Sequence, residues 1–307
     1  MFLAKITVLY FLAFLLSFTL TPSTIKLCHT VGALDKPDGN RKINTLPTPR
    51  LGGLAFFFSF FIFSLPFAKE DPFVAALLSG GAVLVAGGFA DDVFNLPPRL
   101  KLITQASAAL IAVTIAGVPA SISFFGLFDL SLSHVSGLLI AVFKMVYTTN
   151  AVNFSDGLDG LAAGLSTVAF IALFIYGFKN GNLYPALCSL LLSAAVIGFL
   201  PYNRYRAKTF MGDSGSQFLG FAFAVLSLGC APNHAYSLET TLFLAIPALD
   251  TGVSVLRRLA KRKSPFAADK GHLHHIILSL GISHPNAVKL LVGLNSIIAI
   301  ITILFYR

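Results

Sequence analysis

Two adjacent carboxylates, Asp91 and Asp92, stand in the run GGFADDVFNLPPRLKLITQ, with Lys101 and Gln105 beyond a pair of prolines. Neighbouring residues on a helix point about 100° apart, so the pair cannot clamp one ion as a bidentate unit. One carboxylate faces a site, and the other faces a partner group or a proton. A helix-end turn, with Asp as a cap and Pro97–Pro98 as the stop, explains an isolated pair as well. In NAVNFSDGLDGL, the residues Asn150, Asn153, Asp156 and Asp159 recur at every third position. That spacing puts them in one stripe of a helix. Glycines in the same run let the backbone break and approach a ligand. The stripe suits a hard cation and the donors and acceptors of a nucleotide or sugar. A capping loop of ordinary turn formers would contain the same residue types.

The run TFMGDSGSQFLGF places Asp213 between Gly212 and Gly215. A Gly-rich turn opening a helix presents backbone N–H groups to phosphate oxygens. Asp213 could ligate a metal that bridges those oxygens, and Asn153 is the second candidate ligand. No GxxxxGK[ST] string is present, so this is not a P-loop. The alternative is a simple cap after a turn. In DKGHLHH, the residues His272, His274 and His275 are candidate phosphate donors, and His272 a candidate proton carrier. Zinc would require three or four convergent ligands, and the cysteines lie elsewhere. A polar loop is the plainer account of the same string. Arg50, in KPDGNRKINTLPTPRLGG, opens an apolar run and is a candidate phosphate contact. Each run alone has an ordinary explanation. Together they suit a phosphate-bearing substrate with Mg²⁺, the simplest pairing for carboxylates and cations on one face.

The elements that must position these residues follow from composition. Of 307 residues, 56% are hydrophobic and 11% are charged, and the mean hydropathy is +0.81. A soluble domain carries about 25% charged residues. The chain therefore reads as an all-α polytopic membrane protein, a single integral membrane domain over residues 1–307. Apolar runs at 1–20, 51–68, 73–90, 101–118, 134–152, 158–177, 183–201, 214–231, 238–256 and 286–306 predict about ten transmembrane helices. The first run resembles a signal peptide, but its length and the lack of a small-residue cleavage site favour a retained helix. Cys28, Cys188 and Cys230 show no metal-ligand spacing.

The net charge of +9 is distributed unevenly. Lys26, Lys36, Arg41, Lys42, Arg50, Arg99, Arg204, Arg206, Lys208 and the basic run from Arg257 to Lys270 fall in one set of loops. The opposite loops hold Lys69 and Lys179. Such asymmetry marks the first set as cytoplasmic and puts both termini outside. It also excludes nucleic-acid binding as the purpose of the charge. The run RRLAKRKS, from Arg257, reads as a juxtamembrane segment for anionic lipid headgroups. Asp35, Asp38, Asp91, Asp92, Asp156, Asp159, Asp213 and Asp269 join the cytoplasmic set, as do His272, His274, His275 and His284. Carboxylates at a membrane face are costly unless paired or bound to a cation. Lys144, inside the fifth run, is a stray charge that either snorkels or pairs with a carboxylate. A transporter would hold its polar residues near the midplane, and no inverted repeat is apparent.

The strings KPDGNRKINTLPTPRLGG, FADDVFNLPPRLKLITQ, NAVNFSDGLDGLAAG, FMGDSGSQFLGF and DKGHLHH, in this order, resemble the polyprenyl-phosphate N-acetylhexosamine-1-phosphate transferases, of the glycosyltransferase family 4 type. The resemblance spans about residues 30–285. It implies some ten transmembrane helices, a cytoplasmic-facing catalytic cleft in a bacterial cytoplasmic membrane, and dependence on Mg²⁺ or Mn²⁺. It implies a UDP-N-acetylhexosamine donor, undecaprenyl phosphate as acceptor, UMP as a product, and a homodimer. By the same resemblance Asp213 is a metal ligand. Asp91 and Asp92 are catalytic, one of them deprotonating the acceptor phosphate or attacking as nucleophile. Lys101 matches a cleft lysine, and His272 falls in the His motif. Asn150, Asn153, Asp156 and Asp159 line the metal and nucleotide site, with Arg50, His274 and His275 on the substrate. The HLHH string, with Leu273 where the peptidoglycan enzymes have His, resembles the branch that uses UDP-N-acetylglucosamine. The phospho-MurNAc-pentapeptide transferases are the alternative branch.

Overall fold

The computed structural model describes residues 2–35, 47–262 and 271–306. Lys36, Asp38, Arg41, Lys42, Lys263, Asp269 and Lys270 lie outside the described residues. The chain is a bundle of helices: α1 Phe2–Val31, α2 Gly53–Ser64, α3 Pro72–Phe94, α4 Pro98–Ala116, α5 His134–Ser155, α6 Leu161–Lys179, α7 Leu183–Asn203, α8 Gly212–Gly229, α9 Leu238–Thr241, α10 Ala245–Ala260, α11 Leu273–Ser279 and α12 His284–Phe305. Among the described residues, eight helical segments are long and apolar enough to cross a membrane, with α9 and α10 forming one of them, Leu238–Ala260. This is a multi-pass membrane protein. The expected second span is a shorter apolar helix, Gly53–Lys69. The expected eighth is α8, which is polar at its start and buried along almost its whole length.

The first span runs further than its apolar stretch suggested. α1 continues through Pro22 to Val31, which puts Lys26 in the helix rather than in a loop. Pro22 removes one backbone donor, but side chains nearby still bond to the helix: the Thr21 hydroxyl donates to Ser17 O (2.8 Å) and Thr24 to Thr21 O (2.9 Å). Short strands occupy the loops. β1 (Leu34–Asp35) pairs antiparallel with β2 (Thr48–Pro49). β3 (Ser121–Phe124) lies between antiparallel β4 (Phe128–Ser131) and parallel β5 (Tyr236–Ser237).

The centre of the bundle is the packing of α3 on α8. Small residues permit it. A Cβ at Gly88 would lie 2.5 Å from Ser214 Cα, so the two backbones touch where α8 begins. Around this contact Phe56, Phe60, Phe199, Phe218, Phe221 and Phe223 fill the core. Phe57 and Phe218 meet edge to face at 5.0 Å, a favoured arrangement of the ring quadrupoles. Any side chain at position 88 must push α8 from α3. Gly88→Val is expected to destabilise the fold by about 3 kcal/mol, at the upper end of overpacking costs, read as a lowered thermal unfolding midpoint in detergent.

Candidate active site

Alternate helices bring the ends of α3, α5 and α7 and the starts of α4, α6 and α8 to one end of the bundle. The strand β2 continues there into Arg50. The Pro49 carbonyl accepts bonds from Phe210 N (2.8 Å) and Thr209 Oγ1 (3.0 Å), and Gly52 N and Gly53 N donate to Phe210 O and Met211 O. These bonds dock the 49–53 segment on the turn that leads into α8. Gly212 takes φ +69°, and a Cβ there would run into Arg50 O and the Asp92 carboxylate. Glycine is therefore required at the first residue of α8.

Asp92 is 2% exposed, and α8 binds both of its oxygens. Asp213 N donates to Oδ1 (2.9 Å) and Ser214 N to Oδ2 (3.0 Å). A carboxylate from α3 thus caps the positive end of α8, satisfying N–H groups that have no partner within the helix. Arg50 Nη2 approaches Asp92 Oδ1 at 3.7 Å, and its Nη1 donates to Asn95 Oδ1 (3.3 Å). Asp91 accepts Leu96 N on Oδ1 (2.7 Å) and turns Oδ2 to Lys101 Nζ (2.6 Å). Lys101 Nζ also donates to Asp213 Oδ2 (2.5 Å). The other oxygen of Asp213 accepts from Asn153 Nδ2 (2.8 Å), which also donates to Ser216 Oγ (2.8 Å). Asp91, Asp92 and Asp213 each offer an oxygen within 4.8 Å of the others.

A cation already sits between two of these carboxylates, in the form of the Lys101 ammonium. The donors are hard oxygens, the class preferred by Mg²⁺ and Mn²⁺. Asp92 spends its oxygens on α8, which makes it a positioning residue, whereas Asp91 keeps an oxygen on the cationic centre.

The Asn/Asp stripe divides along the site. Asn150 exchanges amide bonds with Gln105 (Nδ2 to Oε1, 2.7 Å), and Gln105 Nε2 donates to Gln217 Oε1 (3.1 Å). Asp156 follows the end of α5. Burial, followed by the charges of Asp213, Asp92 and Asp159, raises its pKa well above the usual carboxylate value, with Arg50 acting the other way. Asp159 faces elsewhere: its Oδ2 accepts Ala207 N (3.0 Å) and fastens the loop between α7 and α8.

The histidines form a second cluster, joined to the first by the 150–161 segment. His272 precedes α11 rather than lying within it, so it is not aligned with His275 along one helix face. Instead the rings of His272 and His274 stack in near-parallel planes, 5.8 Å apart. His272 Nδ1 lies 2.9 Å from Asp250 Oδ2, and its Nε2 lies 3.2 Å from Arg258 Nη2. A guanidinium can only donate, so the neutral ring donates from Nδ1 to Asp250 and accepts at Nε2. Both nitrogens are engaged. Asp250 Oδ1 also accepts Leu273 N (2.8 Å). The His272 ring lies 5.6 Å from that of Phe154. His274 packs its ring tip against Gly157, where any Cβ would overlap Nε2, and its other face meets His275 at 4.4 Å. Burial, then the neighbouring His275, pushes the His274 pKa down to about 4.

Two residues here were not singled out from the sequence. Asp250 lies inside an apolar run, where an acidic residue is itself a signal. Arg258 was assigned with its basic neighbours to lipid headgroups. It is instead 5% exposed and turned inward, over the ring of Phe154 at 5.7 Å.

Comparison with known sequences settles the relationship. The profile of glycosyl transferase family 4 matches residues 74–231. The chain belongs to that family. The match begins in α3 and ends just after α8, so it contains Asp91, Asp92, Lys101, the Asn/Asp stripe and Asp213. Among similar proteins is a probable undecaprenyl-phosphate N-acetylglucosaminyl 1-phosphate transferase of Bacillus subtilis (strain 168), 31% identical over 96% of this chain and 84% of the relative. A decaprenyl-phosphate N-acetylglucosaminephosphotransferase of Mycolicibacterium smegmatis is 35% identical over 86% of this chain and 74% of its own. An undecaprenyl-phosphate alpha-N-acetylglucosaminyl 1-phosphate transferase of Yersinia pestis is 30% identical over 92% and 79%.

The His274 environment yields a pH prediction. The folded chain resists protonating this ring below its ordinary pKa of 6.5. Its contribution to stability is complete above pH 6.5 and is lost as the pH falls toward about 4, on the order of 3 kcal/mol across the window. The unfolding midpoint should drop between pH 7 and pH 5, and His274→Gln should reduce that drop.

Proposed function

We propose that this chain transfers N-acetylglucosamine 1-phosphate from UDP-N-acetylglucosamine to undecaprenyl phosphate, releasing UMP and starting a lipid-linked envelope glycan. It acts as one membrane domain over residues 1–307, in the bacterial cytoplasmic membrane, with its site on the cytoplasmic side. The observation that carries the reading is the Asp91, Asp92 and Asp213 cluster, three carboxylates within 4.8 Å with Lys101 wedged between two of them. The names of the relatives support the donor and acceptor. The basic residues Arg50, Arg99, Arg204, Arg206 and Lys208 fall at the same end of the bundle as these acids, which supports the orientation.

The reaction brings two phosphorylated anions together, so charge neutralisation dominates its barrier. Asp213, with Asn153 beside it, would hold Mg²⁺ or Mn²⁺. A bound divalent ion would draw charge from the diphosphate and stabilise the departing UMP. Lys101 and Arg50 supply the remaining positive charge. Asn150 and Asp156 would line the nucleotide and sugar side, Asp159 would act through the loop that it fastens, and His274 and His275 would be further substrate contacts. His272, held between Asp250 and Arg258, keeps Arg258 facing inward.

The acceptor phosphate has a second pKa near 6, so removing its last proton at neutral pH is modest work. Asp91 is the base in this scheme, because α8 occupies both oxygens of Asp92. The acceptor oxygen attacks the phosphorus bonded to the sugar. A new P–O bond forms there, and the P–O bond to UMP breaks in line. The polyprenyl tail stays in the bilayer along the apolar flank of the bundle, so only the head enters the site.

Purified protein with UDP-N-acetylglucosamine, undecaprenyl phosphate and Mg²⁺ should release UMP. EDTA should stop the release, and added Mg²⁺ or Mn²⁺ should restore it. UDP-MurNAc-pentapeptide should not substitute as donor; turnover with it would move the chain to the other branch. Asp213→Asn should lower kcat by at least about 100-fold, the scale of losing a principal electrostatic group. Turnover near wild type would remove Asp213 from the metal site.

A further inference from the structure

Lys144 lies in the interior of α5, 2% exposed, and Glu239 lies in α9, 1% exposed. Ionisable groups at this depth are costly and are retained for a purpose. Neither serves the carboxylate cluster. The Lys144 ammonium sits over the ring of Tyr236 at 4.3 Å, a cation–π contact strengthened by burial. Its Nζ has no hydrogen-bond partner, and the same is true of Glu239 Oε2. Glu239 lies just beyond Tyr236 in the chain and acts on Lys144 through its charge rather than through a direct ion pair; the Tyr176 hydroxyl donates to its Oε1 (2.9 Å).

The location gives the pair its meaning. α9 leads through a single 3₁₀ turn, Leu242–Leu244, into α10. α5 and α10 pack together, and their contacts recur along one stripe of α5. Lys144 meets the ring of Tyr236, just ahead of α9. One turn later, Tyr147 donates its hydroxyl to Ala248 O (2.5 Å). Two turns beyond that, Phe154 meets His272 and Arg258. The same helix carries Asn153 into the carboxylate cluster, while α10 carries Asp250 and Arg258 to the histidines. The seam therefore joins the two halves of the site.

We propose that Lys144 and Glu239 are a positioning pair, which fixes the register of α5 against α9–α10 and so sets the gap between the Asn/Asp stripe and the histidine cluster. The inference rests on the transferase reading for its activity measurement, but not for its structural one. Removing one member strands a buried charge. Removing both takes that penalty away and leaves an uncharged seam. The pair must therefore couple in a double-mutant cycle.

Lys144→Met, Glu239→Gln and the double variant are purified in detergent beside the wild-type chain. UMP release is measured well below each variant's own unfolding midpoint, and hydrogen–deuterium exchange is followed over residues 245–260 and 273–279. Each single variant should lose about tenfold in kcat, as expected for a small displacement of reacting groups, and should exchange faster in both segments. The double variant should recover most of both. A single variant that fails to fold while the double variant folds is the same coupling in its strongest form. Losses that add in the double variant, single variants with wild-type kcat and exchange, or a double variant that fails to fold overturn the proposal. Absence of UMP release by the wild-type chain overturns the transferase reading instead, and the exchange measurements then decide the pairing on their own.

Discussion

The site depends on one bond pattern: the carboxylate of Asp92 accepting the first backbone amides of α8. A helix that starts inside a bundle has unpaired N–H groups and a positive end, and water is scarce there. In a soluble protein such a start is usually capped by a neighbour in sequence. Here the cap comes from another helix, across the contact made possible by Gly88. The capping bonds and the helix packing are therefore one constraint. They fix where Asp213 projects, and Lys101, Asn153 and Ser216 are arranged around that point.

Concentrating carboxylates at the end of a bundle is unfavourable by itself. Like charges a few ångströms apart repel by several kcal/mol where water is partly excluded. The protein offsets this with Lys101 between Asp91 and Asp213, with Arg50 beside Asp92, and with amide donors on Asp92 and Asp213. Asp156 adds another negative group with few local partners, and its environment resists ionisation. The whole assembly remains short of positive charge. The three carboxylates could hold a metal ion, and rigid donors would lose little freedom in doing so.

Much of this was legible from residue types and spacing. The helices follow from apolar run lengths. The convergence of Asp91, Asp213 and Asn153 follows from helices that alternate in direction, which return every second connection to the same end. What could not be read were features set by distant parts of the chain. That Asp92 caps α8 requires knowing that α3 lies against it. Asp250 and Arg258 lie on a helix with one apolar face and one inward polar face, and the apolar residues masked the polar ones. His272 falls just outside α11, a boundary that the residue types of this run do not mark. α1 passes through Pro22 because its flank is packed against α7, a tertiary effect that overrides the local preference for a break.

The burial of α8 bears on how the protein is made. Unlike the eight segments that are apolar enough to cross by themselves, α8 begins with Gly-Asp-Ser-Gly-Ser-Gln and would partition poorly into lipid alone. The helices that surround it, α2 to α7, emerge from the ribosome first. Its insertion is thus an assembly step, in which a cradle of earlier helices receives a strand of chain that the translocon would otherwise return to water. Asp213 would enter the membrane only when the groups that neutralise it are already there.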